Sequence, residues 1–115
     1  MENQFGITGF IFNKDHEWEN AGEGVRRKIL GYEKDIMLVA VEFKKGAVGY
    51  LHKHPHKQIS HIIKGSFEVS INNEKKIMKA GDVFLVMPNL EHGVVALEED
   101  SMLTDVFSPY REDFI

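Results

Sequence analysis

His52-Lys53-His54-Pro55-His56-Lys57-Gln58 decides how this chain is read, because three histidines and a glutamine fall within seven residues. If the backbone runs extended from Leu51 to His54, side chains alternate between faces, so His52 and His54 point the same way. Two imidazoles one residue apart on one face reach a single ion. Past the bend at Pro55 the chain resumes as Gln58-Ile59-Ser60-His61-Ile62-Ile63, which brings the Gln58 amide oxygen toward the same point. A fourth ligand must come from elsewhere, and His92 is the candidate. His56 follows the proline bend directly and is the weaker ligand. His61 has parity opposite to Gln58 and is expected to face the second sheet or a subunit contact.

Composition limits what such a site can be. A chain of 115 residues, 1–115, fits one domain with a core of its own. A formal charge of −4 and the lack of any long Lys/Arg block leave no field for a phosphate backbone to follow, which argues against nucleic acid as a partner. The chain has no cysteine, so disulfides, iron–sulfur clusters, thiolate zinc sites and thiol nucleophiles are excluded. Any metal is therefore held by nitrogen and oxygen. Met1-Glu2-Asn3-Gln4 lacks a basic segment followed by an apolar one, and no apolar run approaches bilayer length, so no membrane contact and a cytoplasmic location are expected.

On either side of the histidines the pattern is short strands punctuated by glycine. Val25–Leu30 alternates apolar and basic residues, Gly31–Asp35 reads as a turn, and Ile36–Phe43 is apolar on both faces except at Glu42. Ile59–Ile63, Phe67–Ile71, Lys76–Met78, Val83–Met87, Gly93–Leu97 and Met102–Phe107 follow, separated by Lys64-Gly65-Ser66, the hairpin loop Asn72–Lys75, Lys79–Asp82 and Pro88-Asn89. Eight or nine short strands with no helical period predict an all-β, antiparallel sandwich or barrel. A turn of helix is expected after Pro109. Residues 1–24, carrying Phe5, Phe10, Phe12 and Trp18, read as an edge strand and loop that cover the core or a partner subunit. With the Ile59/His61/Ile63 face they suggest a homodimer.

Two motifs resemble those of the cupin superfamily. The first runs through Gly46 or Gly49, His52, His54, Gln58 and Gly65; the second is Gly81-Asp82-Val83-Phe84-Leu85-Val86-Met87-Pro88-Asn89-Leu90-Glu91-His92. Gln58 stands where many cupins carry glutamate, and Asn89 where many carry glycine, although Asn tolerates positive φ. The resemblance implies the cupin double-stranded β-helix and one divalent transition metal (Zn, Ni, Mn or Fe). Three neutral imidazoles and a neutral amide leave the ion's charge uncompensated, which favours an anionic ligand.

The tail Asp105-Val106-Phe107-Ser108-Pro109-Tyr110-Arg111-Glu112-Asp113-Phe114, with Val25–Leu30 and His-Pro-His-x-Gln, looks like the small cupins of the KdgF type. Those proteins convert unsaturated monouronates from pectin or alginate breakdown to linear keto acids. The resemblance implies metal ligation by His52, His54, Gln58 and His92, with Asp105, Phe107 and Arg111 lining the substrate site. From the residues, Leu103, Asp105 and Phe107 share a strand face, and an Asp between apolar partners is costly to bury unless paired or working. The Arg111 fork suits a sugar carboxylate, or alternatively Asp105 and Arg111 pair with each other. Asp105 is expected to move the proton, Phe107 to stack on the sugar and Met37 to line the cavity. A cupin dioxygenase and a non-catalytic small-molecule binder remain as alternatives.

Overall fold

The computed structural model describes residues 9–115, so the expectation for Phe5 lies outside the described residues. Ten strands follow in chain order: β1 (Glu19–Gly22), β2 (Val25–Glu33), β3 (Ile36–Phe43), β4 (Val48–His52) and β5 (Lys57–Lys64) form the first half. The second half is β6 (Ser66–Ile71), β7 (Glu74–Lys79), β8 (Val83–Val86), β9 (His92–Ala96) and β10 (Ser101–Ser108). They make a six-stranded sheet, β1-β2-β3-β10-β5-β8, and a four-stranded sheet, β4-β9-β6-β7. All pairings are antiparallel. This is the antiparallel two-sheet arrangement that the strand spacing predicts, in the jelly-roll form that the cupin resemblance implies. No helix among the described residues is long and apolar enough to cross a membrane.

Period-two alternation decides which side chains enter the space between the sheets. On β5, Gln58, Ser60 and Ile62 are buried while Ile59, His61 and Ile63 are exposed. Ser101, Leu103 and Phe107 of β10 and Phe84 and Val86 of β8 obey the same rule. One part of the interior is wholly apolar, built from Phe43, Ile62, Phe67, Val69, Phe84, Val86 and Leu103. Met37, Val39 and Phe107 form a second cluster, with Tyr32, Tyr110 and Phe114 packed against it. Beyond the apolar part the inward positions turn polar: His54, Gln58, Ser60 and His92 are all buried.

Three local expectations need correction. β2 continues through the Gly31–Glu33 segment read as a turn, because a register shift between Ile29 and Gly31 accommodates an irregularity and keeps the ladder with β3 paired to Glu33–Ile36. The β6–β7 connection is two residues, Asn72 and Asn73, at φ of 47° and 71°; two left-handed residues match the twist of a tight hairpin, so Glu74 and Lys75 belong to β7. β4 ends at His52, so strand alternation does not bring His54 beside it. His54 sits in the following loop, where its carbonyl accepts the Asn89 N–H (2.8 Å). Asn89 itself adopts φ 65°, as its tolerance of that region predicts.

The N-terminal arm covers its own sheet. Trp18 lies against the Arg26 guanidinium (4.4 Å) and the Lys28 ammonium (4.8 Å), and Lys28 donates to Asn13 Oδ1 (3.0 Å). Phe10 and Phe12 remain exposed. The helical turn expected after Pro109 is a single 3-10 turn, Glu112–Phe114.

Candidate metal centre

His52 at the end of β4, His54 in the loop and His92 at the start of β9 converge so that their ligand nitrogens lie within 4.8 Å of one another. The β4–β9 ladder places His52 directly opposite His92. His54 and His92 are buried and His52 is exposed, which gives the cluster one solvent-facing side. His16 and His61 lie outside this cluster.

Each ring is held through Nδ1 by a backbone carbonyl: His52 to Tyr50 O (2.8 Å), His54 to His56 O (3.1 Å) and His92 to Leu90 O (2.9 Å). A carbonyl only accepts, so each Nδ1 carries the proton and each Nε2 is left with a lone pair. Gln58 Oε1 stands 2.9 Å from His54 Nε2 and 3.1 Å from His92 Nε2. The amide cannot be reversed, because Gln58 Nε2 donates to Ser60 Oγ (2.9 Å) and Asp105 Oδ1 (3.2 Å). Oxygen and nitrogen lone pairs therefore face one another across hydrogen-bonding distance. Protonating the rings does not relieve this: burial lowers the His54 pKa and brings His92 down to about 4, leaving both neutral at pH 7. A cation satisfies all these acceptors at once. The donor set of three imidazole nitrogens and an amide oxygen suits a divalent transition metal.

Asp105 lies one step behind Gln58. Its Oδ1 accepts from Ser60 Oγ (2.5 Å) and from Gln58 Nε2, and Ser60 is fully buried between them. Desolvation raises the Asp105 pKa to about 6, although Ser60, the nearby Arg111 charge and Gln58 all act to lower it. Asp105 and Arg111 do not form an ion pair. Arg111 is buried and directs Nε and Nη2 at Asp113 (3.0 and 2.8 Å).

Phe107, expected to stack on a sugar, is 2% exposed and packs edge-on to His54 (5.7 Å), with the Arg111 guanidinium 5.0 Å from its ring centre. Its surface is already occupied. Met37 is 0% exposed, paired with Phe107 across the β3–β10 ladder, where it supports that ring and offers a ligand nothing. His56 is not part of the metal-facing set; it packs against His54 and Phe107. One residue escaped the sequence reading: Ser60 shares the inward parity of Gln58 and Ile62, a signal that was present. The sequence left open whether Arg26 or Arg27 reaches inward, since a one-residue register shift exchanges their faces; Arg27 stacks on Phe114 (3.9 Å), whereas Arg26 turns outward to Glu42.

A model of the cupin domain matches residues 39–107. The pectin degradation protein KdgF of Dickeya dadantii is 48% identical over 107 residues, covering 92% of this chain and 97% of that protein. The solved structure of KdgF from a Halomonas species is 41% identical with a TM-score of 0.91, over 95% of this chain and 100% of that one. An RmlC-like cupin structure from Shewanella frigidimarina is 40% identical with a TM-score of 0.89, over 95% and 97%. The chain that brings β4, β9 and the loop after β4 together on one histidine cluster thus belongs to the cupin family, among its KdgF-type members.

Proposed function

We propose that this protein is a metal-dependent enzyme of pectin or alginate breakdown that converts a 4,5-unsaturated monouronate to its linear keto acid. The observation that carries the reading is the hydrogen-bonded run from Gln58 through Ser60 to Asp105, which joins a neutral metal-ligand set to a carboxyl group poised near neutrality. The pectin degradation protein that is 48% identical supports the substrate class.

The conversion is an isomerisation and needs no oxidant. The anomeric hydroxyl loses its proton as the bond from C1 to the ring oxygen breaks, leaving an aldehyde at C1 and an enolate at C5. A proton delivered to C4 then gives the ketone at C5. A divalent ion held by His52, His54, Gln58 and His92 supplies Lewis-acid stabilisation of negative charge on oxygen. Asp105 is assigned the proton transfers. Its Oδ1 accepts two hydrogen bonds, so the proton resides on Oδ2, and a pKa of about 6 lets the group both take and give. Arg111 is assigned the uronate carboxylate, which a guanidinium holds in a planar fork.

Proton nuclear magnetic resonance tests the reading: the vinylic C4 proton should disappear and a methylene appear, carrying one deuterium when the reaction runs in heavy water. No acceleration over the spontaneous reaction, with metal bound, would sink it.

A further inference from the structure

Arg111 is surrounded on three sides, by Phe107 of β10 and by Asp113 and Phe114 of the C-terminal turn. The Arg111 guanidinium lies 5.0 Å from the Phe107 ring centre and 4.3 Å from that of Phe114, and those two rings meet edge to face (5.8 Å, 89°). Asp113 takes one edge of the fork with both oxygens, Oδ1 on Nε and Oδ2 on Nη2. Among the described residues no hydrogen bond reaches Nη1. Phe114 is in turn backed by the Arg27 guanidinium at 3.9 Å, and Glu19 neutralises Arg27 from β1 (2.8 Å). The Phe114 N–H donates to Arg111 O (3.0 Å), which closes the turn that holds these groups together.

We propose that Asp113 and Phe114 are positioning residues that hold the Arg111 guanidinium so that only its Nη1–Nη2 edge is offered to a carboxylate. The inference rests on the assignment of Arg111 to the substrate carboxylate. A free arginine has rotamer freedom to lose on binding, and holding it in advance removes that loss. Asp113 serves this role from outside: it is largely exposed while Arg111 is buried, so it fixes the cation from the solvent side. The Phe107 ring that carries the Arg111 guanidinium at 5.0 Å also meets the His54 ring at 5.7 Å, so the cation stands one ring away from the metal centre, within reach of an anion bound there.

The test compares the metal-loaded wild type with Asp113→Ala and Phe114→Leu. Turnover is followed on the unsaturated monouronate and on its methyl ester, and binding is followed by calorimetric titration with galacturonate, an unreactive hexuronate. For Asp113→Ala, KM for the acid and Kd for galacturonate should each rise about tenfold, which is most of the rotamer loss a preorganised arginine avoids. kcat and the kinetics on the ester should stay within about twofold. Phe114→Leu, which removes the aromatic face but keeps an apolar contact, should show the same split to a smaller degree. An unchanged or lowered KM in Asp113→Ala overturns the proposal, a lowered one because it would make Asp113 a competitor of the substrate. Equal loss on acid and ester also overturns it, since that marks a merely structural role. Should the wild type bind galacturonate and fail to turn over the uronate, a tenfold rise in Kd would leave the clamp standing and the reaction disproved. No galacturonate binding by the wild type disproves the clamp.

Discussion

Replacing Gln58 with glutamate would change two things at once. A carboxylate adds charge against the metal and should tighten its binding, but it has no N–H to donate to Ser60 or Asp105, as Gln58 Nε2 does. Two carboxyl groups would then face each other and Asp105 would be pushed further up. Gln58→Glu should therefore retain metal at lower pH while its activity optimum moves upward, which a pH–rate profile beside a metal titration would read. Asp105→Asn is predicted to keep the metal and lose at least about 100-fold in turnover; an unchanged rate would remove Asp105 from the chemistry. The same variant tests the pKa. Asp105 rises from 3.8 to about 6 on folding, so its stabilising contribution is full below the unfolded value and is lost as pH rises through 6. His92, lowered from 6.5 to about 4, has the opposite sign: its contribution is present above 6.5 and lost as pH falls. In metal-stripped protein, Asp105→Asn should therefore gain about 1–2 kcal/mol on the wild type between about pH 4.5 and about pH 7.5, measured by urea unfolding. At the residue scale the metal ligands were legible in the sequence because ligand types cluster at motif spacing. Asp113 was not, since an acidic residue in a polar tail looks solvated until the fold sets a guanidinium beside it.

The strands were legible where alternation is clean, as in β5, β6 and β10, and obscured where a turn or bulge interrupts it. Gly31 reads as a turn residue, yet it lies within β2, and its lack of a side chain serves the close passage of Ile11: an added Cβ would stand 2.6 Å from Ile11 Cδ1. His52 and His54 look like a strand pair, but β4 ends between them and the loop carbonyl bonded to Asn89 completes the approach. The turn between β5 and β6 gives a prediction at this scale. Gly65 has φ 76°, and an added Cβ would overlap the Ser101 side chain and approach its Cα to 2.9 Å. Gly65→Ala should destabilise the protein by about 2 kcal/mol or more through left-handed strain and this clash, visible as a lowered melting temperature. Wild-type stability would contradict the packing described for β6 and β10.

The outer face of the six-stranded sheet is apolar on the adjacent strands β5 and β8, where Ile59, Ile63, Val83 and Leu85 are exposed, and again at Leu38 of β3 on the far side of β10. Exposed apolar residues on three strands of one sheet exceed the scattered pattern of a lone surface. We propose that two copies meet here, as the sequence suggested from Ile59 and Ile63. A double substitution, Ile59→Lys with Leu85→Lys, should yield a monomer by sedimentation that still binds metal; a wild-type protein already monomeric at micromolar concentration would refute the contact. Dimerisation would leave the metal centre open, because the cluster lies between the sheets and the proposed contact lies outside them. Metal dependence of the uronate reaction is what the four-residue centre is proposed to confer. Its most direct measurement is the loss of ultraviolet absorbance of the unsaturated monouronate under metal-loaded, chelator-stripped and reloaded protein. Acceleration that vanishes on stripping and returns with a divalent transition metal is the predicted result, and equal rates for stripped and loaded protein would contradict it.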